Sequence, residues 1–121
     1  MEKNKTLVLG ASENPARYSN MAIKKLIARQ QPVVAIGKKK GLVSGIRIET
    51  TQKPFTGIDT VTIYLNPVHQ KEYYHYIISL HPKRIIFNPG AENDELFDLA
   101  VQHHIKPLEA CTLVLLNTGQ Y

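Results

Sequence analysis

Tryptophan is absent from this 121-residue chain, and cysteine occurs once, as Cys111. One cysteine excludes an internal disulfide framework and fits a reducing cytoplasm, where the protein is expected to reside. No apolar run approaches the roughly 18 residues that a membrane helix needs. The polar opening Met1–Lys5 leads into a strand and lacks the apolar region of a signal peptide. No membrane partner is therefore expected. Repeats, linkers and low-complexity segments are also missing. The five histidines, His69, His75, His81, His103 and His104, form no metal signature such as H-E-x-x-H. They read as helix-surface or helix-end residues, and no metal site is expected.

What remains is an ordinary globular composition, 43% hydrophobic and 21% charged. The length suits one domain over residues 1–121, large enough to bury a core without metal or disulfides. The net charge of +5 is uneven: residues 1–60 carry +7 and residues 61–121 carry −2. Basic charge attracts nucleic acid, membrane surface or a small phosphate ligand, and it also serves plain solubility.

Lys5–Gly10 (KTLVLG) is an apolar run closed by glycine and reads as a buried strand. Ala22, Ile23, Leu26 and Ile27 then recur at helical spacing, with Ser19 or Asn20 as the expected cap. Val33–Ile36 is a second strand opened by Pro32. Gly37–Gly45 reads as a loop, and Ile46–Glu49 as a brief extended piece. Thr60–Leu65, Arg84–Asn88 and Lys106–Glu109 complete the strands. Helices are expected from Pro67 to Leu80, with Val68, Tyr73, Tyr76, Ile77 and Leu80 as the apolar face, and from Asn93 to His104. Cys111–Leu116 is a final apolar stretch. Strands alternating with helices predict an α/β fold. The expectation is a Rossmann-like three-layer sandwich with a mainly parallel five-stranded sheet. In such sheets ligands bind beyond the carboxyl ends of the strands, where the strand order reverses.

The segments after the strands are therefore the candidates. In Gly10-Ala11-Ser12-Glu13-Asn14-Pro15, Gly10 permits a tight turn and Ala11 a close backbone approach. Ser12 and Asn14 offer hydrogen bonds to phosphate, and Arg17 a charge-assisted one. The following helix has no acid in its first turn, so its free N–H groups and dipole favour an anion. Only the first glycine of G-x-G-x-x-G is present, and a glycine-punctuated turn is the competing reading. After the second strand, Gly37-Lys38-Lys39-Lys40-Gly41 offers three lysines where an NAD domain wants an acid. Lysines there suit a phosphate on the adenosine ribose, at the 2′ position in NADP or the 3′ position in coenzyme A. A solvated lysine run is the commoner fate of such a segment. Asn88-Pro89-Gly90 and Asn66-Pro67 read as turns and caps that also wall the pocket. Glu92, Asp94 and Glu95 satisfy the helix start beside Asn93 and repel an anion there. Cys111 has no base at a telling spacing and reads as a small core residue, so no catalytic residue is assigned.

The segments Val8–Pro15, Ile86–Asn93 and Glu109–Val114, in that order around the basic loop, resemble those of the small bacterial CoA-binding domain proteins. These are similar in turn to the nucleotide-binding domain of the succinyl-CoA synthetase alpha subunit. The resemblance covers about Lys5 to Leu116. It implies a Rossmann-like fold that binds coenzyme A as its cofactor, through the phosphorylated ADP part. Carried over by position, the pyrophosphate meets Gly10, Ser12, Asn14 and Arg17. The adenosine and its phosphate meet Ile36, Gly37, Lys38, Lys39 and Lys40. The pantetheine arm passes Asn66, Pro67, Asn88 and Pro89. The family often has Val-Asn-Pro-Lys after strand two, where this chain has Ile36-Gly37-Lys38-Lys39. The synthetase's phosphohistidine domain is not in this sequence, so no ligase activity is expected of it.

The expected function is thus non-catalytic binding of CoA or an acyl-CoA, as carrier, sensor or subunit. The alternative is an NADP-binding oxidoreductase fragment, which the lysines permit but which lacks a substrate domain and an evident proton donor. A nucleic-acid binder is a third reading, supported by no helix-turn-helix, RNP-type or zinc motif. Tyr73, Tyr74 and Tyr76 are expected to leave an apolar patch on one helix, a surface for a homodimer or another protein partner.

Overall fold

Short runs of β-branched and aliphatic residues form the centre of the computed structural model, which describes residues 5–121. Residues 1–4, read above as a polar lead-in, lie outside the described residues. The chain runs β1 (Lys5–Leu9), α1 (Tyr18–Ala28), β2 (Val33–Ile36), β3 (Gly41–Val43), β4 (Ile46–Glu49) and β5 (Ile58–Ile63). It continues through α2 (Pro67–Gln70), a 3-10 turn (Lys71–Tyr73), α3 (Tyr74–Ser79), β6 (Arg84–Phe87), α4 (Asp94–Gln102), β7 (Lys106–Glu109) and α5 (Thr112–Asn117). The strands make one sheet in the order β3-β4-β2-β1-β5-β6-β7, parallel throughout except for β3.

The sheet has seven strands rather than the expected five. The added pair is the hairpin β3–β4: β3 lies in the segment read as a loop, and β4 is the piece Ile46–Glu49 read as briefly extended. Its two-residue turn, Ser44-Gly45, has φ of 49° and 85°. Positive φ at both positions matches the right-handed twist of paired strands, so the short hairpin closes and adds itself to the edge beyond β2.

Alternation along the strands sorts the core into two layers. Leu7, Leu9, Val61, Ile63, Ile85 and Phe87 pack with Tyr76 and Ile77 of α3 and Leu96 and Ala100 of α4. Val8, Ala35 and Ile48 face Ile23 and Leu26 of α1 and Leu116 of α5. Each fully buried Leu or Ile contributes roughly 1.5–3 kcal/mol by leaving water. The second face also carries polar residues: Thr62 bonds Thr112 at the start of α5 (2.8 Å), and Thr6 bonds the Tyr121 hydroxyl. Helices thus cover both faces, which gives the three layers.

Three local expectations are corrected. α1 begins at Tyr18 with Arg17 as its N-cap, and Ser19 and Asn20 are buried inside its first turn. The helix expected over residues 67–80 is broken by the 3-10 turn, and Val68 is 75% exposed rather than on the apolar face. Just before the break the buried Gln70 amide turns inward, donating to Leu65 O and Ala91 O at 2.8 Å each. The tyrosines make no external patch. Tyr76 is buried and donates to Lys53 O, Tyr73 packs edge-on against Tyr76, and Tyr74 accepts from Asn93 Nδ2. The apolar stretch at Cys111–Leu116 contains the helix α5, which packs beside α1. Among the described residues no helix is long and apolar enough to cross a membrane.

Candidate functional site

β1 lies between β2 and β5, and the strand order reverses there. A cavity of about 790 Å³ opens beyond the carboxyl ends of these strands, at the position where doubly wound sheets bind ligands. Its floor is the loop between β1 and α1. Gly10 takes φ of 96°, and its N–H and that of Ala11 both donate to Ile36 O at 2.9 Å. The first loop is thereby fastened to the end of β2.

Within this loop, Ser12 Oγ accepts from Asn14 N (3.1 Å) and Asn14 Oδ1 accepts from Ala16 N (3.0 Å). The Ser12 hydroxyl proton and Asn14 Nδ2 have no acceptor among the described residues. Asn20 Nδ2 donates to Ser12 O (3.0 Å), so α1 holds the loop from below. The start of α1 has no capping side chain and no acid in its first turn. An uncapped helix start carries a partial positive charge and free N–H donors.

The second wall is the lysine segment. Gly37 N donates to Glu49 O (2.9 Å), and a Cβ at Gly37 would lie 2.3 Å from Ala11 O. Only glycine lets β2 pass so close to the first loop. Lys38, Lys39 and Lys40 follow, all exposed and all lining the cavity. With Arg17 they place four cations around it against one carboxylate, Glu13.

The far wall comes from the segments after β5 and β6. Tyr64, Leu65 and Asn66 line one side, and Pro89, Gly90 and Ala91 the other. Burial pushes the Tyr64 phenol up to about 12, with the nearby Thr112 and Thr62 hydroxyls pulling weakly the other way. Its buried hydroxyl makes no hydrogen bond of full geometry among the described residues. Asn66 caps α2 by accepting from His69 N (3.1 Å).

Of the residues singled out in the sequence, ten line this cavity: Gly10, Ala11, Ser12, Asn14, Arg17, Lys38, Lys39, Lys40, Asn66 and Pro89. Four do not. Ile36 is fully buried and contributes its carbonyl to the first loop, and Gly37 is spent on the contact with Ala11. Pro67 is the exposed first residue of α2. Asn88 is buried: its Nδ2 donates to Thr62 Oγ1 (2.7 Å) and Ile63 O (2.9 Å), and its Oδ1 accepts from Thr112 N (2.8 Å). It joins β5, β6 and α5 as framework. Gly90 and Ala91, in the turn read as a pocket wall, line it too, and Glu13, Tyr18, Ser19, Tyr64 and Leu65 line it without having been assigned to the ligand. Tyr64 and Leu65 directly follow β5, the neighbour of β1, so strand order alone would have found them.

The geometry is that of a polar, cationic cradle. Among the described residues no three of His, Cys, Asp or Glu gather as a metal site.

The CoA binding domain family matches residues 4–117 of the chain. Among solved structures, one described only as an uncharacterized protein is 42% identical, with full coverage of both chains and a TM-score of 0.96. A hypothetical protein from Pyrococcus horikoshii OT3 is 23% identical over 93% of this chain and 80% of its own, with a TM-score of 0.83. A Thermus thermophilus protein is 14% identical over 98% of this chain and 91% of its own, with a TM-score of 0.81. The last two share the fold alone. A comparison with curated proteins found no match. The match over nearly the whole length and the cationic cradle at the switch point agree, and the chain belongs to the CoA binding domain family.

Proposed function

We propose that this protein binds coenzyme A, or an acyl-CoA, through the 3′-phospho-ADP moiety, as a carrier, sensor or subunit in the cytoplasm and without chemistry of its own. One observation carries the reading: a single cavity joins an uncapped helix start to three lysines that have no partner among the described residues. A diphosphate suits the first, through the Gly10–Asn14 loop, the N–H groups of α1 and Arg17. A separate phosphate on the ribose suits the second. The pantetheine arm then leaves along Tyr64, Leu65, Asn66 and Pro89, where the walls are less charged.

Thermal unfolding with CoA, 3′-dephospho-CoA, acetyl-CoA, NAD and NADP tests this. A ligand at a hundred times its Kd stabilises the native state by about 2.7 kcal/mol, or about 10 °C for a domain of this size. CoA and acetyl-CoA are expected to raise Tm, dephospho-CoA less, and NAD not at all. A shift with NADP and none with CoA contradicts the proposal.

A further inference from the structure

A carboxylate in a cradle for phosphates is an anomaly. Among the described residues Glu13 is the only acid lining the cavity, and by charge alone it weakens every anion that enters. What it holds explains its place. Glu13 Oε2 accepts from Leu42 N at 3.0 Å, 29 residues along the chain, in the three-residue edge strand β3. Gly41 lies directly beneath the same side chain. A Cβ there would stand 2.4 Å from both Glu13 Cγ and Cδ and 2.8 Å from Oε1.

The lysine loop is therefore fastened to the first loop at both ends. Gly37 rests on the Ala11 carbonyl before Lys38, and Gly41 rests on the Glu13 side chain after Lys40. None of the three lysines makes a hydrogen bond or ion pair with the protein among the described residues. The sheet also holds this loop, through Gly37 N on Glu49 O and the pairing of Gly41 with Ile48, and the two contacts above are what tie it to the first loop. The first consists of buried backbone, while the second depends on one exposed side chain.

Building on the CoA reading above, we propose that Glu13 is a positioning residue. Its carboxylate braces the lysine loop against the first loop and so sets how strongly a ribose-bound phosphate is recognised. Without the brace the loop must be ordered at the moment of binding, and that entropy is subtracted from what the lysines contribute. Loss of charge and loss of the brace act with opposite sign on anion affinity, which separates them. Glutamine keeps the acceptor oxygen and loses the charge; alanine loses both. Gly41→Ala keeps Glu13 and displaces it.

The test is calorimetric titration of the intact protein and the variants Glu13→Gln, Glu13→Ala and Gly41→Ala with CoA and 3′-dephospho-CoA. The wild type is expected to prefer CoA by about tenfold or more, as a charge-assisted contact implies. In Glu13→Ala and Gly41→Ala that preference is expected to fall to within about threefold, while dephospho-CoA affinity does not fall and rises in Glu13→Ala, which has lost the carboxylate. Glu13→Gln is expected to retain it. A preference that is unchanged or larger in Glu13→Ala, or Gln and Ala variants that behave alike, overturns the brace and leaves the CoA reading standing. A wild type that binds neither compound overturns both.

Discussion

Two strand-to-helix junctions face the same cavity, and they are built in opposite ways. After β6, Asn93 caps α4 by accepting from Leu96 N (3.1 Å), and Asp94 and Glu95 fill its first turn. Asn93 Nδ2 then bonds Gln70 Oε1 and Tyr74 Oη, so the junction is closed on the protein itself. After β1, α1 starts with no capping side chain and no acid, and the loop is held from behind by Ile36 O and Asn20. One junction spends its polar groups on stability, and the other leaves the Ser12 hydroxyl proton and Asn14 Nδ2 without an acceptor among the described residues. An uncapped helix start gives up about 1 kcal/mol of stability, and bringing an anion to it offsets that.

The sharpest way to probe this contrast is at the closed junction. Asn88→Ala leaves Thr112 N and Ile63 O without their buried partner. It is expected to cost about 3–4 kcal/mol in urea unfolding, two unsatisfied buried groups at a few kcal/mol each. A loss under about 1 kcal/mol would mean that the junction does not depend on Asn88. The open junction and its lysines are expected to respond in the other currency. Replacing Lys38, Lys39 and Lys40 together by alanine should weaken CoA about a hundredfold while unfolding shifts by under about 0.5 kcal/mol. Titration calorimetry beside unfolding checks both halves. Asn93→Ala removes the cap and two further bonds, at an expected cost of about 2 kcal/mol, and leaves CoA affinity unchanged. Loss of affinity there would blur the distinction between the junctions.

The smallest effect concerns Tyr64, on the wall between them. Tyr64→Phe is expected to change stability by less than about 1 kcal/mol at neutral pH, because its hydroxyl lacks a full hydrogen bond. Above pH 10 it matters more. The unfolded phenol ionises near its ordinary 10.0, the folded one near 12. The unfolded state therefore binds fewer protons in that window, and stability falls as pH rises through it. Unfolding midpoints from pH 9 to 12 should drop less steeply in the phenylalanine variant.

Much of this was legible in the residues. KTLVL, VVAI and RIIF read as strands because apolar and β-branched runs have few other uses, and their alternation with helices fixed the carboxyl-end loops as the place to look. The Asn93 cap followed from side-chain chemistry alone. Ile46–Glu49 read as extended, but its pairing into the hairpin β3–β4 did not emerge, since β3 at three residues is too short to show a period. Only Ser44-Gly45 between β-branched neighbours signalled it. Ser19 and Asn20 look like caps, but tertiary packing buries both, and Asn20 is engaged by Ser12 O. Asn88 stands in a turn by sequence and in the core by structure. Nothing local announces that α5 returns to meet it. Gly37 and Glu13 were opaque for the same reason, since their partners, Ala11 and Leu42, lie 26 and 29 residues away.

On the proposed function, the open junction, and not the closed one, receives the phosphates of CoA. Amide chemical-shift mapping of the isotope-labelled protein during CoA titration tests it most directly. The largest shifts are expected at Ala11–Ser19 and Lys38–Lys40, with the amides of Asn93–Leu96 nearly still. Saturable shifts centred on the first turn of α4, or none near Ala11–Ser19 at saturating CoA, would contradict it.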